Sequence, residues 1–142
     1  MAAAWLLLLI TAPFLTTPAA GVLYAGSALI CHQLPDRSFH LQGIQLPVCA
    51  RCFGLYGGAA VGSAVGAAGF GRRWLARRPL AWTPSLKLAA TGAAAVPTLV
   101  TFALEWGLGW PMSNEVRAIA ALPLGCAVAL VVVSALATVH YD

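Results

Sequence analysis

Four long apolar stretches, residues 2–30, 53–70, 88–110 and 118–139, alternate with short polar ones along this chain. A helix needs about 20 mainly apolar residues to cross a hydrocarbon core of roughly 30 Å. The stretches meet or approach that length, and none shows the two-residue alternation of a barrel strand. Unpaired backbone is costly in lipid, so helices are the expected spans. The pattern predicts an all-α, polytopic membrane protein of about four transmembrane helices, a single domain over residues 1–142. A Cys/His-rich polar loop, 31–52, joins the first two spans, and a basic loop, 71–87, joins the next two.

Prolines refine this picture. Pro13 and Pro18 interrupt the first stretch, which predicts a kink or a late helix start there. A secretory signal peptide competes for the same stretch, with small residues at Ala19 and Ala20. No positive residue precedes its apolar block, as such signals require, so a retained helix is expected. Pro97 and Pro123 fall inside the third and fourth spans, as kinks buffered by neighbouring helices.

Composition agrees. The chain is 61% apolar and 8% charged, with a mean hydropathy of +0.85. Ordinary globular domains carry roughly a quarter charged residues. A water-soluble fold this poor in charge could not cover its own surface, and the bilayer is the expected solvent.

The placement of charge sets an orientation. Arg72, Arg73, Arg77, Arg78 and Lys87 lie between the second and third spans. Short loops rich in Lys and Arg stay cytoplasmic. The reading is a multi-pass protein of the cell (cytoplasmic or inner) membrane, both termini cytoplasmic, with loop 31–52 outside. Asp36, Arg37, Arg51, Glu105, Glu115 and Arg117 then sum to zero on the outer side. The five inner positives and Asp142 carry the whole net charge of +4. Anionic lipid headgroups account for the basic run, and no nucleic-acid partner is expected. Trp74 and Trp82 suit the inner interfacial belt, and Trp106 and Trp110 the outer one.

In the second span Gly54, Gly58, Gly62 and Gly66 recur every four residues, on one slowly drifting helical face. Such a strip lets another backbone approach closely. Packing within the chain is the expected use; a homo-oligomer or docking to a larger membrane complex is the alternative. Glu105, near the outer end of the third span, is costly there unless paired or wet. Arg51 and Arg117 are its candidate partners.

Candidate chemistry is concentrated in CHQLPDRSFHLQGIQLPVCARC, residues 31–52. Thiolate and imidazole are preferred ligands of zinc, which takes four of them tetrahedrally in a closed site. Cys49 and Cys52 form a C-x-x-C pair, and Cys31, His32, Cys49 and Cys52 together would supply Cys3His. Adjacent Cys and His can both ligate only with a favourable backbone bend, so His40 is a reserve fourth ligand. Two readings compete. Cysteines in an oxidising exterior pair as disulfides. A C-x-x-C at a helix start is also a thiol–disulfide exchange motif, although no thioredoxin-like βαβ pattern surrounds this one. Haem attachment would call for C-x-x-C-H, which the chain lacks.

Pro35 and Asp36 form a turn pair before Arg37 and Ser38. Arg37 orders the loop or, with Arg51, holds a phosphate or carboxylate. Tyr56 either hydrogen-bonds within the outer cluster or serves as a belt aromatic. Cys126 is a small packing residue, and His140 is expected to be exposed.

These residues carry a resemblance. Cys31, His32, Gln33, Pro35, Arg37, Ser38 and Phe39, followed by Cys49, Arg51, Cys52, Gly54, Tyr56 and Gly58, match the pattern C-H-Q-x-P-x-R-S-F … C-x-R-C-x-G-x-Y-x-G. The chain resembles a family of small predicted membrane proteins from bacteria and archaea, catalogued as a domain of unknown function. Glu105, the segment 109–114 and Arg117 resemble a second, weaker polar patch of that family. The resemblance implies a polytopic membrane protein with a polar cluster at one face. It favours Cys31, His32, Cys49 and Cys52 over His40 as the ligand set.

Two classes of function follow. One is a binding or accessory module with a structural zinc in its outer loop. The other is a membrane-embedded enzyme or transporter, in which Arg37, Arg51, Tyr56, Glu105 and Arg117 bind a small anionic or lipid substrate beside a metal or reactive thiol. A closed Cys/His site favours the first; a cavity lined by Arg51, Glu105 and Arg117 favours the second.

Overall fold

The computed structural model describes residues 1–68 and 83–139. Helix α1, Ala2–Thr11, runs into a 3-10 turn at Ala12–Phe14, and α2 follows at Thr17–Ala28. A second 3-10 turn, Pro35–Arg37, leads into strands β1, Ser38–Leu41, and β2, Ile44–Cys49. Three longer helices complete the chain: α3, Ala50–Ala67; α4, Pro84–Gly107; and α5, Asn114–Val139. The expected Arg72, Arg73, Arg77, Arg78, Trp74, Trp82 and His140, and the end of the expected second span, lie outside the described residues.

The first apolar stretch is not one spanning helix. Leu15 and Thr16 are extended, and Pro18 sits in the first turn of α2. Proline lacks the amide proton that a continuous helix would need. The resulting helices have 10 and 12 residues, about 15 and 18 Å long at 1.5 Å per residue, too short to cross. Among the described residues two helices are long and apolar enough to cross a membrane, Pro84–Gly107 and Asn114–Leu136. Helix α3 adds 18 residues, about 27 Å.

The polar loop is also more ordered than an all-α expectation allows, because it folds into an antiparallel hairpin. Gln42 and Gly43 turn it, both with positive φ (52° and 81°). That is the twist a two-residue hairpin turn favours. Leu41 pairs with Ile44 and His40 with Gln45, but Ser38 pairs with Cys49. The register slip places Pro47 in the irregular part of β2, where a missing donor is tolerated.

Helices α3 and α5 meet backbone to backbone. Ala50, Gly54, Gly58, Gly62 and Gly66 are the buried residues of α3. A Cβ on Gly54 would overlap the carbonyl of Ala118, on Gly58 that of Leu122, and on Gly62 that of Cys126. From the other side, a Cβ on Gly125 would overlap the carbonyl of Leu55. The glycine strip is thus used inside the chain, and the backbone of Cys126 lines it. Helix α4 joins this pair: the Thr98 hydroxyl donates to the Ala120 carbonyl at 2.8 Å, three residues before Pro123. Proline frees backbone acceptors in its preceding turn, and neighbouring Ser and Thr side chains re-satisfy them.

Helix starts follow local rules. Thr83 caps α4, its hydroxyl accepting from the Leu86 amide at 3.3 Å, with Pro84 opening the helix. Gly109, at φ 64°, turns the chain out of α4. Large apolar side chains of α4 and α5, including Leu88, Leu99, Ile119, Val132 and Leu136, face outward. Helices whose apolar side chains point outward suit lipid as their solvent.

Candidate metal centre

The chemistry gathers where β2 becomes α3. Cys49 is the N-cap of α3, and Cys52 lies three residues on, so both side chains share one face of the first turn. Cys31 arrives from the end of α2, its amide donating to the Ser27 carbonyl at 2.9 Å. The Cys49 amide then donates to the Cys31 sulfur at 3.1 Å. The Sγ atoms of Cys31, Cys49 and Cys52 all lie within 4.8 Å of one another. Sulfurs held by one tetrahedral zinc at about 2.3 Å stand about 3.8 Å apart, so small side-chain adjustments would seat an ion. The three are free thiols.

Glutamines pin this approach. Gln33, with a left-handed backbone (φ 49°), donates its side-chain amide to the carbonyls of Tyr24 and Pro47, both at 2.8 Å. Gln45 returns a bond from its Nε2 to the Gln33 carbonyl at 2.6 Å. The Tyr24 hydroxyl donates to the Gln45 carbonyl, and the Ser38 hydroxyl to that of Leu34 at 2.8 Å. Residues 31–34 are thereby bound to β2, which carries Cys49.

The surroundings of the sulfurs are apolar. Leu9 of α1, Val48 and Cys31 form a buried cluster, with Trp5, Phe53 and Tyr56 packed on it. Tyr56 meets Trp5 edge-on, ring centres 6.3 Å apart; it stands on the thiol side of α3. Cys31 is buried, while Cys49 and Cys52 are half-buried. The Cys52 thiol beside it, aided by the amides that open α3, holds the Cys49 thiol down to about 5 from an ordinary 9.0.

On another side of α3's first turn, Arg51 reaches α4 and pairs with Glu105. Arg117 binds the other carboxylate oxygen, its Nε at 2.8 Å, and its Nη1 donates to Asn114 Oδ1 at 2.6 Å. The same Nη1 donates to the Asp36 carbonyl at 3.3 Å, and Asn114 donates its amide to the Ser38 carbonyl at 3.0 Å. Hairpin, α3, α4 and α5 are thus joined by one ionic network. The Glu105 side chain is only 4% exposed. The Arg51 guanidinium lies over the Phe102 ring at 5.4 Å, and that of Arg37 over Trp106 at 5.7 Å.

Of the expected ligands, then, three cysteines come together. His32 and His40 are exposed, and neither joins the sulfur group. Arg51, Glu105 and Arg117 assemble; Arg37 stands beside them on Trp106, and Tyr56 does not. The sequence pointed to neither Gln45 nor Gly125; Asn114 stood only at the end of the 109–114 patch and Gln33 only in the motif, each without a role. The alternation about Gln42–Gly43 was the signal for the hairpin, and the small residue in the Pro123 segment was the signal for Gly125.

Comparison with known proteins supplies a family and no activity. The chain is 60% identical over 40 residues to an uncharacterized protein of Methanocaldococcus jannaschii, 28% of this chain and 26% of that protein. It is 53% identical over 30 residues to an uncharacterized protein of Methanothermobacter thermautotrophicus, 21% of this chain and 27% of that one. The match therefore spans about a quarter of each relative's length. No solved structure matches. The sequence model of one family covers residues 31–131, from the first cysteine of the cluster to the last third of α5. This chain belongs to that family, described as "Predicted membrane protein (DUF2085)".

Proposed function

We propose that the protein is a membrane-embedded binding or accessory module that carries one zinc ion on Cys31, Cys49 and Cys52. The meeting of three sulfurs from two distant parts of the chain, each within 4.8 Å of the others, carries this reading. Thiolates select soft or borderline ions, zinc foremost among the divalent ones that need no redox partner. In this reading α3, α4 and α5 cross the bilayer of the cell membrane, the hairpin end faces outward, and the basic residues between α3 and α4 stay cytoplasmic.

Support for a module rather than an enzyme or transporter comes from the ionic network. The groups that would bind an anionic substrate are engaged with one another: Arg51 and Arg117 both take the carboxylate of Glu105. A larger membrane complex is a fitting partner, reached through the hairpin end or the outward faces of α4 and α5.

The test is elemental analysis of detergent-purified protein beside a Cys49→Ser/Cys52→Ser variant. About one zinc per chain, lost in the variant, is expected. Metal-free protein whose thiols are blocked until reduced would replace the zinc by a disulfide or a redox pair.

A further inference from the structure

Zinc takes four ligands: closed structural sites supply all four from protein, and reactive sites leave one for an outside group. Among the described residues no His, Asp or Glu stands with the three sulfurs. His32 is bonded directly to Cys31 yet exposed, and His40 sits on β1 opposite Gln45. Glu105 is occupied by two guanidinium groups. Leu9, Val48, Trp5, Phe53 and Tyr56 wall the cluster and offer no carboxylate or imidazole. Of the three cysteines, Cys31 is buried while Cys49 and Cys52 keep some exposure, which leaves their side of the cluster as the approach.

Charge narrows the class of ligand. Zinc with three thiolates sums to −1. Arg51, which lies between two of those cysteines in sequence, belongs with Glu105 and Arg117 to a network that sums to +1. A neutral donor preserves that balance. A fourth thiolate or a carboxylate would leave an extra negative charge beside an apolar wall, which is costly.

Resting on the zinc reading, we propose that the centre keeps an exchangeable fourth position that accepts a neutral nitrogen donor of the imidazole class from outside the chain. Such a site would dock a histidine of a partner protein, or a small imidazole compound, through the metal itself.

The full chain in detergent is titrated with cobalt(II), then with free imidazole, alongside a His32→Ala variant. A thiolate-to-cobalt charge-transfer band that appears with one equivalent of cobalt reports the three-sulfur site. The inference expects the visible d–d bands to shift saturably with imidazole, through isosbestic points, identically in wild type and variant. A histidine-containing peptide that shifts the bands at lower concentration than free imidazole assigns the position to a protein partner; the reverse order assigns it to the small molecule. Bands that ignore imidazole, or that already differ between wild type and His32→Ala before imidazole is added, overturn the open position while leaving the zinc site intact. Absence of the charge-transfer band overturns the zinc reading and this inference with it.

Discussion

The first turn of α3 serves two neighbourhoods that differ in how completely their valences are met. Around Glu105, each carboxylate oxygen has a guanidinium, and Arg117 spends further donors on Asn114 and the Asp36 carbonyl. Around Cys31, Cys49 and Cys52, three sulfurs face one another and backbone amides, and among the described residues no His, Asp or Glu joins them. The carboxylate of Glu105 is fully engaged and holds helices in place, although Arg51 Nε stays without a partner among the described residues, whereas a cluster of soft donors has capacity for an ion. The same four-residue stretch, Cys49-Ala-Arg-Cys52, therefore presents two helical faces: Arg51 on the ionic network and, in the proposed reading, the cysteines as ligands.

Glu105→Gln should have the largest effect. It leaves two arginines without their carboxylate in a largely buried site, a loss of about 3–5 kcal/mol. Unfolding in detergent followed by tryptophan fluorescence should show a large drop in Tm, with cobalt binding retained in protein that stays folded. A small drop would mean that the network is not structural. Next comes the asymmetry between its cations. Arg117→Met should cost about 3 kcal/mol and Arg51→Met about 2, because Arg117 also holds Asn114 and the hairpin backbone. Equal losses would show that those extra bonds add nothing.

Metal removal probes the other side. With free zinc at 100 times its dissociation constant, the ion adds about 2.7 kcal/mol. Chelation should therefore lower Tm in wild type and leave Cys49→Ser/Cys52→Ser unmoved; a variant that responds equally would place the metal elsewhere. Phe102→Leu should have the smallest effect, about 0.5–1 kcal/mol, since it removes only the ring beneath Arg51. A larger loss would mean that stacking rather than ion pairing seats that guanidinium.

Much of this arrangement was legible in the residues alone. Apolar length sets α4 and α5, and the four-residue glycine period already required a partner backbone. An acid within an apolar run, Glu105, had to find a cation, and two arginines flank it in space. The three cysteines share a polar loop with C-x-x-C spacing, which puts two of them on one helical face. What stayed hidden depends on contacts between distant segments. The break at Leu15–Thr16 was visible as prolines, but its extent was not. Helix α1 is instead held by Leu9 against Val48 and by Trp5 against Tyr56. Gln33 stood in the motif without a role; its importance comes from carbonyls 9 and 14 residues away. Chemical type says nothing of direction: His32 is exposed although Cys31, the residue before it, is buried, and neither His32 nor His40 joins the sulfur group.

The glycine seam has a mechanical consequence. An interface of interlocking side chains can creep, as rotamers change one at a time. Here the carbonyls of Ala118, Leu122 and Cys126 rest in notches made by Gly54, Gly58 and Gly62. Sliding such a pair means lifting each carbonyl out and dropping it into the next notch, four residues or about 6 Å away. Helices α3 and α5 therefore act as a single beam with one resting tooth, and Cys49 and Cys52 are fixed to its end.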